Sequence, residues 1–557
     1  MKRNILLIFL IGIIINSIAQ IAPDKYYIQF TDKSNSPYSI DNPGEFLTQR
    51  ALDRRNRQGI VINENDIPVN QVYIQGVADI GVDILNPTRW LNGVTVFTED
   101  LGLIEQIEAL PYVSGSVKFN YSENFNNEKF KEIDVDLENG NFSSRNNNST
   151  SSLNYGLAYG QIEQLNGIPL HDAGYQGEGM VIAILDAGFT GALTHPVLEY
   201  LWENDRILGS KDFVYIGGSV FNDSEHGKMV LSCMGANLSG EMIGTAPEAE
   251  YWLLRSEEDA HENVIEEYNW MSAAEFADSV GADIINSSLG YIDFDNPIFD
   301  HPHSAMNGDS TVITRAADIA ASKGILVVNS AGNSGSSSSF PWIGAPADGD
   351  SVLTIGAVKL NGQRASFSSI GPTADGRIKP TVMACGQGAT IATGTTNIST
   401  TGNGTSFSSP ILAGMSACLW QSHPDMTMME IYESIRESGS LVSDPNDLMG
   451  WGIPNFNEAD SILTAITPPS YSTEFVKASP VPFVNKLHVS VNIDSAENVS
   501  VEIFNIAGNL VLSSTVSLSK YSNSFELNDE LLQLSQGVYF LKVITKHRTD
   551  VVKIIKN

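Results

Sequence analysis

The stretches MVIAILDAG, DSEHGKMVLSCMGA and TGNGTSFSSPILAGMSA place an aspartate, a histidine and a serine, Asp186, His226 and Ser406, at the ends of apolar runs. A carboxylate closing a buried strand is partly desolvated, which is costly unless it accepts hydrogen bonds, and an imidazole N–H would supply one. His226 opens an apolar helix and is followed by Gly227, where another backbone can approach closely. Ser406 follows Gly404-Thr405 and precedes a helix of small apolar residues, with Pro410 expected in the first turn, where a missing N–H costs least. Singly, each residue has a plainer account, since Asp and Ser cap helices and a lone His is more often structural. A serine hydroxyl becomes a nucleophile only when a base, an orienter for that base and a donor to the oxyanion converge on it. Asp, His, Ser is one of the chain orders in which that triad geometry occurs.

With these segments the chain resembles the subtilisin-like (subtilase) serine peptidases. ILDAGF matches the family's Asp segment, HGKMVLSCMGA its His segment, GTSFSSPILAG its Ser segment and VVNSAGNSG the one carrying an oxyanion-hole asparagine, here Asn333. MIGTAPEAEYWLLR, ADIINSSLGY and ASFSSIGPTADGRIKPTVMACG fill the intervening positions in order. The resemblance implies peptide hydrolysis through an acyl-enzyme, with Ser406 as nucleophile, His226 as base, Asp186 as its orienter and Asn333 as oxyanion donor. It departs from the family at Glu225, Lys228, Ala187 and Phe407. A lysine beside an imidazole lowers its pKa and a glutamate raises it, so the sign of the pair depends on geometry. His195, in LTHPVLEY, is the rival base, but it sits in a polar loop with no apolar helix behind it. The G-x-S-x-G elbow of an α/β-hydrolase is absent from the chain.

The same resemblance implies a primary specificity pocket lined by Ser288-Leu289-Gly290 and Ser330-Ala331-Gly332, with Gly344 at its floor. No charged side chain stands on those segments, so a large apolar P1 residue is expected over Lys, Arg or Asp. Phe340 and Trp342 fall close to the floor in sequence and could close it.

The elements that must position these residues read as an α/β fold. MVIAILDAG, AEYWLLRS, ADIINSSLG, ILVVNSAGN and VLTIGAV are nearly continuous apolar runs, as strands buried on both faces require, and they alternate with amphipathic helices. A doubly wound parallel-sheet domain is expected over 154–465, with function at the carboxyl ends of its strands. Before it, residues 20–118 alternate short strands and helices (YYIQF, the helix EFLTQRALDRRNRQ, QVYIQG, NGVTVFTE, LGLIEQIEALPYVSGSVKF) and form a small α+β unit. That unit resembles the inhibitory propeptides of secreted subtilases; a substrate-recruiting domain is the alternative. An Asn-rich linker over 119–153 has little to bury and is the expected site of maturation cuts. Residues 472–557 alternate short strands and polar turns as a small antiparallel β-sandwich. ASPVPF, VEIFNIAGNLV and the closing LSQGVYFLKVITKHRTDVVKIIKN resemble the sorting domains of the type IX (Por) secretion system, a binding module being the alternative.

The ends and the charge agree with export. Lys2-Arg3, the apolar run Ile5 to Ile15 and Ser17-Ile18-Ala19 have the form of a signal peptide over 1–19, and the run is shorter than the ~20 residues of a membrane span. A net charge of −33 over 557 residues argues against nucleic acid or anionic membrane as partners. The cluster Arg50, Arg54, Arg55, Arg57 is the exception, and helical spacing makes it a solvated or inter-domain face. Cys233, Cys385 and Cys418 lie too far apart for a disulfide framework or a metal site and are expected as buried thiols. Expected partners are protein or peptide substrates, the propeptide as intramolecular inhibitor and the secretion machinery, on a monomer. The chemistry requires no cofactor and no metal ligand set is expected; a structural calcium ion is an optional addition that no motif specifies. The reading from a different class is a secreted, non-catalytic adhesin on a subtilase scaffold.

Overall fold

The computed structural model describes residues 24–119, 151–466 and, with short interruptions, 476–556. The signal segment 1–19 and nearly all of the linker 119–153 lie outside the described residues. The chain divides into two compact units, 1–464 and 465–557.

The first unit is organised on an eight-stranded sheet. Its strands are β5 (Val181–Asp186), β6 (Ile207–Asp212), β7 (Glu250–Arg255), β8 (Ile284–Ser287), β9 (Leu326–Ser330), β10 (Leu353–Lys359), β11 (Val382–Thr393) and β12 (Asn397–Asn403). In space they run β12-β11-β10-β9-β8-β5-β7-β6. Every pair is parallel except β11–β12. All residues of β5, β8 and β9 are buried, which is why their sequences carry no polar alternation. The crossover helices are α4 (His226–Gly235), α5 (Ile265–Val280) and α6 (Val312–Ser322), and α7 (Thr405–Ser422) follows the β11–β12 hairpin. From β5 the chain passes to the edge strand β6, then steps back through β7 and past β5 to β8, β9 and β10. Helix α4 packs on α7, and α5 packs on α6.

Packed against α5 is an antiparallel four-stranded sheet in the order β2-β3-β1-β4, made of β1 (Lys25–Phe30), β2 (Asp83–Thr88), β3 (Gly93–Phe97) and β4 (Val113–Lys118). With α2 (Gln71–Ala78) and α3 (Leu101–Glu108) it encloses a core of its own that includes Tyr26, Ile28, Phe30, Val94, Val96 and Ile107. The period of two shows in β1, where Tyr27 faces the other way and meets Tyr268 of α5, ring centroids 4.8 Å apart. One segment differs from its expected place in the alternation. QVYIQG alternates like a strand but is helical, because the Asn70 side chain accepts from Val72 N and starts α2, and only Val77 is buried. The intervening strand is DILNPT, which carries a proline and was not among the expected strands.

The second unit has two antiparallel sheets over one core. β13 (Val476–Ser479), β14 (Leu487–Val491) and β17 (Ser524–Leu527) form one, in the order β13-β14-β17. The other is β16 (Leu510–Leu518), β15 (Glu497–Asn505), β18 (Gly537–Ile544) and β19 (Thr549–Lys556), in that spatial order. Val489, Val501, Ile503, Leu541 and Val543 fill the space between them, the alternate residues that the sequence pattern marks. Among the described residues no helix is long and apolar enough to cross a membrane. The three cysteines are unbridged and buried, as expected, and burial pushes the Cys385 thiol up to about 12.

Candidate active site

Asp186 is the last residue of β5 and is fully buried. One carboxylate oxygen, Oδ1, accepts from the Ala187 amide at 2.8 Å and lies 2.8 Å from His226 Nδ1. Two glycines bring these residues together. Gly188 has φ 155° and a Cβ there would stand 2.9 Å from Ser224 N and O, while a Cβ on Gly227 would stand 2.5 Å from Gly188 O. The loop after β5 and the start of α4 therefore meet backbone to backbone, joined by Gly227 N donating to Gly188 O at 2.8 Å.

Lys228 and Glu225, the departures next to His226, pair with each other. The Lys228 ammonium is fully buried and donates to Glu225 Oε2 at 2.5 Å and to Gly394 O at 2.6 Å, and Gly394 N donates to Glu225 Oε2 at 3.0 Å. The two residues thus fasten α4 to the turn between β11 and β12. His195 is buried elsewhere, with Nε2 3.1 Å from Asn397 O and Nδ1 accepting from Val197 N, and burial holds its pKa below the ordinary value.

Ser406 is the second residue of α7, after Gly404 at φ 149°, a conformation that side chains rarely adopt. Phe407 packs beside His226, the two ring centroids 6.2 Å apart. Pro410 is placed differently from expectation. It lies in the second turn, where its missing N–H leaves the carbonyl of Ser406, four residues back, without a helical donor. Ser288 replaces that donor, its Oγ giving a hydrogen bond to Ser406 O at 2.9 Å, while Ser406 Oγ lies 3.4 Å from Ser288 O. Counting back four residues from Pro410 was the signal in the sequence for such an orphan carbonyl.

Asn333 joins the same helix end. Its Oδ1 accepts from both Thr405 N at 2.9 Å and Thr405 Oγ1 at 3.0 Å, and Gly332 N donates to Thr405 Oγ1 at 3.2 Å. With the carbonyl end of the amide held by Thr405, the NH2 end is turned the other way. Sequence reasoning had not singled out Thr405 for this.

The expected pocket segments adjoin one another. Ser288 and Leu289 are buried and Gly290 is exposed; Ser330 and Ala331 are buried, and Gly332 has φ 97°. Tyr291 N donates to Ala345 O at 2.8 Å and Ala345 N to Tyr291 O at 3.3 Å, which sets Gly344 beside this segment. The side chain nearest Gly344 is that of Ile292, where a Cβ would meet Cγ1 at 2.7 Å. Phe340 and Trp342 are drawn to His303, which stacks on Trp342 with centroids 4.2 Å apart. Among the described residues no group of three or more His, Cys, Asp or Glu side chains is arranged to hold a metal ion.

Three segments of the chain match known families. Residues 177–452 match the subtilase family, peptidase S8. Residues 25–134 match the peptidase S8 propeptide domain of Bacteroidota, running past 118 into residues outside those described. Residues 477–557 match the secretion system C-terminal sorting domain, which directs the protein by type IX secretion to the cell surface or the extracellular space. Subtilisin from Bacillus pumilus is 31% identical over 51% of this chain and 92% of its own length. Subtilisin DY from Bacillus licheniformis is 32% identical over 50% and 92%, and subtilisin E from Bacillus subtilis 31% over 52% and 67%. Among solved structures, MycP1 with its N-terminal propeptide removed aligns at TM-score 0.41 and 23% identity over 54% of this chain and 96% of that one. The chain belongs to the subtilase family and is a subtilisin-like serine endopeptidase.

Proposed function

We propose that Ser406, His226, Asp186 and Asn333 carry the hydrolysis. Ser406 Oγ attacks the scissile carbonyl carbon as His226 Nε2 takes its proton, and Asp186 Oδ1 holds the Nδ1–H so that the imidazolium is oriented and stabilised. The oxyanion receives hydrogen bonds from Asn333 Nδ2 and from the Ser406 amide, at a helix start whose dipole favours negative charge. Collapse of the intermediate expels the amine, which takes the proton from His226, and water repeats the sequence on the acyl-enzyme. The observation that carries this reading is the 2.8 Å approach of Asp186 to His226, at the strand-carboxyl end of the sheet where α7 begins. Ser406→Ala is expected to lower casein hydrolysis by several orders of magnitude with an unchanged thermal transition. Hydrolysis at the wild-type rate would refute the assignment.

In the same reading the precursor matures by cuts in or near 119–153, the freed prodomain over 20–118 inhibits the mature enzyme, and the enzyme acts as a monomer on protein or peptide substrates. The uncharged segments 288–290, 330–332 and 344, together with Ile292, suit a large apolar P1 side chain. A peptide library varied at P1 tests this, and a clear preference for Arg or Lys would show the pocket to be wrongly placed.

A further inference from the structure

Among the described residues three arginines are 2% exposed or less: Arg54, Arg55 and Arg255. Arg54 and Arg55, on α1 (Gln49–Arg57), bind Asp278 of α5 and join the small antiparallel unit to the parallel-sheet domain. Arg255 lies instead beside Asp186. It ends β7, and the sheet register sets it opposite Asp186 of β5 on one side and Asp212 of β6 on the other.

Arg255 Nη1 lies 3.3 Å from Asp212 Oδ2, on a carboxylate side chain 1% exposed. The other oxygen of Asp212 accepts from Val214 N and from Tyr215 N, each at 2.9 Å. A buried guanidinium without such a partner would be costly, so this pair explains how the charge is tolerated. The rest of the fork reaches elsewhere. Nε donates to Ala187 O at 3.0 Å, and Nη1 also lies 2.5 Å from Asp223 Oδ2. These acceptors belong to the two segments that carry Asp186 and His226. Ala187 follows Asp186, and its amide donates to Asp186 Oδ1. Asp223 stands three residues before His226, and between them Ser224 Oγ accepts from His226 N at 3.2 Å. The Tyr215 ring covers the guanidinium, its centroid 5.0 Å from Cζ.

We propose that Arg255 is a positioning residue for the Asp186–His226 contact, its planar fork tying the backbone after Asp186 to the loop before His226. This rests on the triad reading above and adds to it a residue that acts only through others. An ammonium group would attract Asp223 as a point charge, whereas the guanidinium fork holds a carbonyl and two carboxylates at fixed angles. A misplacement of about 1 Å costs on the order of a hundredfold in rate. Slack between the two loops therefore falls on kcat and leaves KM nearly alone.

The test uses the full chain with a recognition sequence for a site-specific protease inserted within 120–150, so that cutting does not depend on each variant's own activity. Hydrolysis of a chromogenic peptide gives kcat and KM relative to the wild-type chain cut in the same way. Asp223→Ala removes a carboxylate 47% exposed and leaves Arg255 paired with Asp212. Its thermal transition is expected to move by no more than about 3 °C. Its kcat is expected to fall about three- to tenfold with KM within about twofold, and the low-field proton resonance of His226 Nδ1–H to shift or broaden. Arg255→Met is expected to lower kcat at least about thirtyfold, and Arg255→Lys to regain at least about fivefold of that loss. Adding Asp223→Ala to Arg255→Met is expected to lower kcat no further, as for parts of one unit. If Arg255→Met fails to fold, Asp223→Ala decides. Asp186→Asn is the reference, with an expected loss of about 10⁴-fold. Wild-type kcat and an unmoved resonance in Asp223→Ala, while Asp186→Asn still collapses turnover, would overturn the role of Arg255 alone. Wild-type kcat in Asp186→Asn would overturn the triad reading and this role with it.

Discussion

At the scale of single residues, two hydroxyls and one amide position the proposed nucleophile. Ser288 gives its proton to the Ser406 carbonyl that Pro410 leaves without a donor. Ser288→Ala orphans a buried carbonyl, a loss of about 1–3 kcal/mol in urea unfolding, and kcat is expected to fall with KM less affected. Thr405 holds Asn333 by its oxygen, which in the proposed mechanism leaves its NH2 for the oxyanion. Asn333→Ala is expected to lower kcat by about 10²–10³ with little change in KM, since an oxyanion donor acts only on the transition state. A raised KM at normal kcat would place Asn333 in substrate binding instead. The residue types were legible in the chain, in HGK, GTS and AGN, but the hydrogen bonds among them were not. Ser288 reads as a pocket residue from its neighbours, and only the approach of β8 to the start of α7 gives its hydroxyl another acceptor.

At the scale of elements, the Asp–His contact depends on how closely α4 can lie against the loop after β5. Gly227→Ala puts a Cβ 2.5 Å from Gly188 O, a backbone atom that cannot swing aside. The expected outcome is a lowered thermal transition and at least tenfold lower kcat, read by circular dichroism and peptide hydrolysis; unchanged values for both would mean that the two segments do not need this contact. The buried strands β5, β7, β8, β9 and β10 were readable because a strand covered on both faces has to be apolar throughout. QVYIQG was not, since six residues of alternating polarity fit either period and the Asn70 cap decides for helix.

For the whole molecule, docking of the prodomain is expected to depend on pH in two opposite ways. Glu275 of α5 accepts from the amides of Arg89 and Trp90, and burial raises its pKa from 4.5 to about 7. A raised carboxyl pKa means the docked state holds the extra proton, so this contribution is full below 4.5 and lost as pH rises through about 7. Lys25 of β1, buried near Glu258 and Glu266, is lowered from 10.5 to about 8 by desolvation, so its contribution is full above 10.5 and lost as pH falls through about 8. Affinity of the cut pieces is therefore expected to pass through a minimum between about pH 7 and 8, changing by at most about tenfold per pH unit on either side. Monotonic affinity from pH 5 to 9 would show that one group is not buried by docking. A chain ending at Ala465 is expected to keep its hydrolytic activity when refolded and to remain unexported in its native host, since 477–557 match a sorting domain; export of that truncated chain at the full rate would separate the domain from sorting.

The sequence by itself determined what depends on local pattern: buried strands, short antiparallel strands at the carboxyl end, and three residue types at the ends of apolar runs. Tertiary structure decided what depends on approach between distant segments. Arg54 and Arg55 are 224 and 223 residues from Asp278, and nothing in RALDRRNRQ distinguishes guanidinium groups facing water from ones sealed over helix ends. Lys228 and Glu225, which had opposite signs for the base, are joined to each other and to Gly394, a partner 166 residues beyond Lys228. Charge and hydroxyl groups take whichever partner folding brings within about 3 Å, and that distance is set by the packing of whole elements.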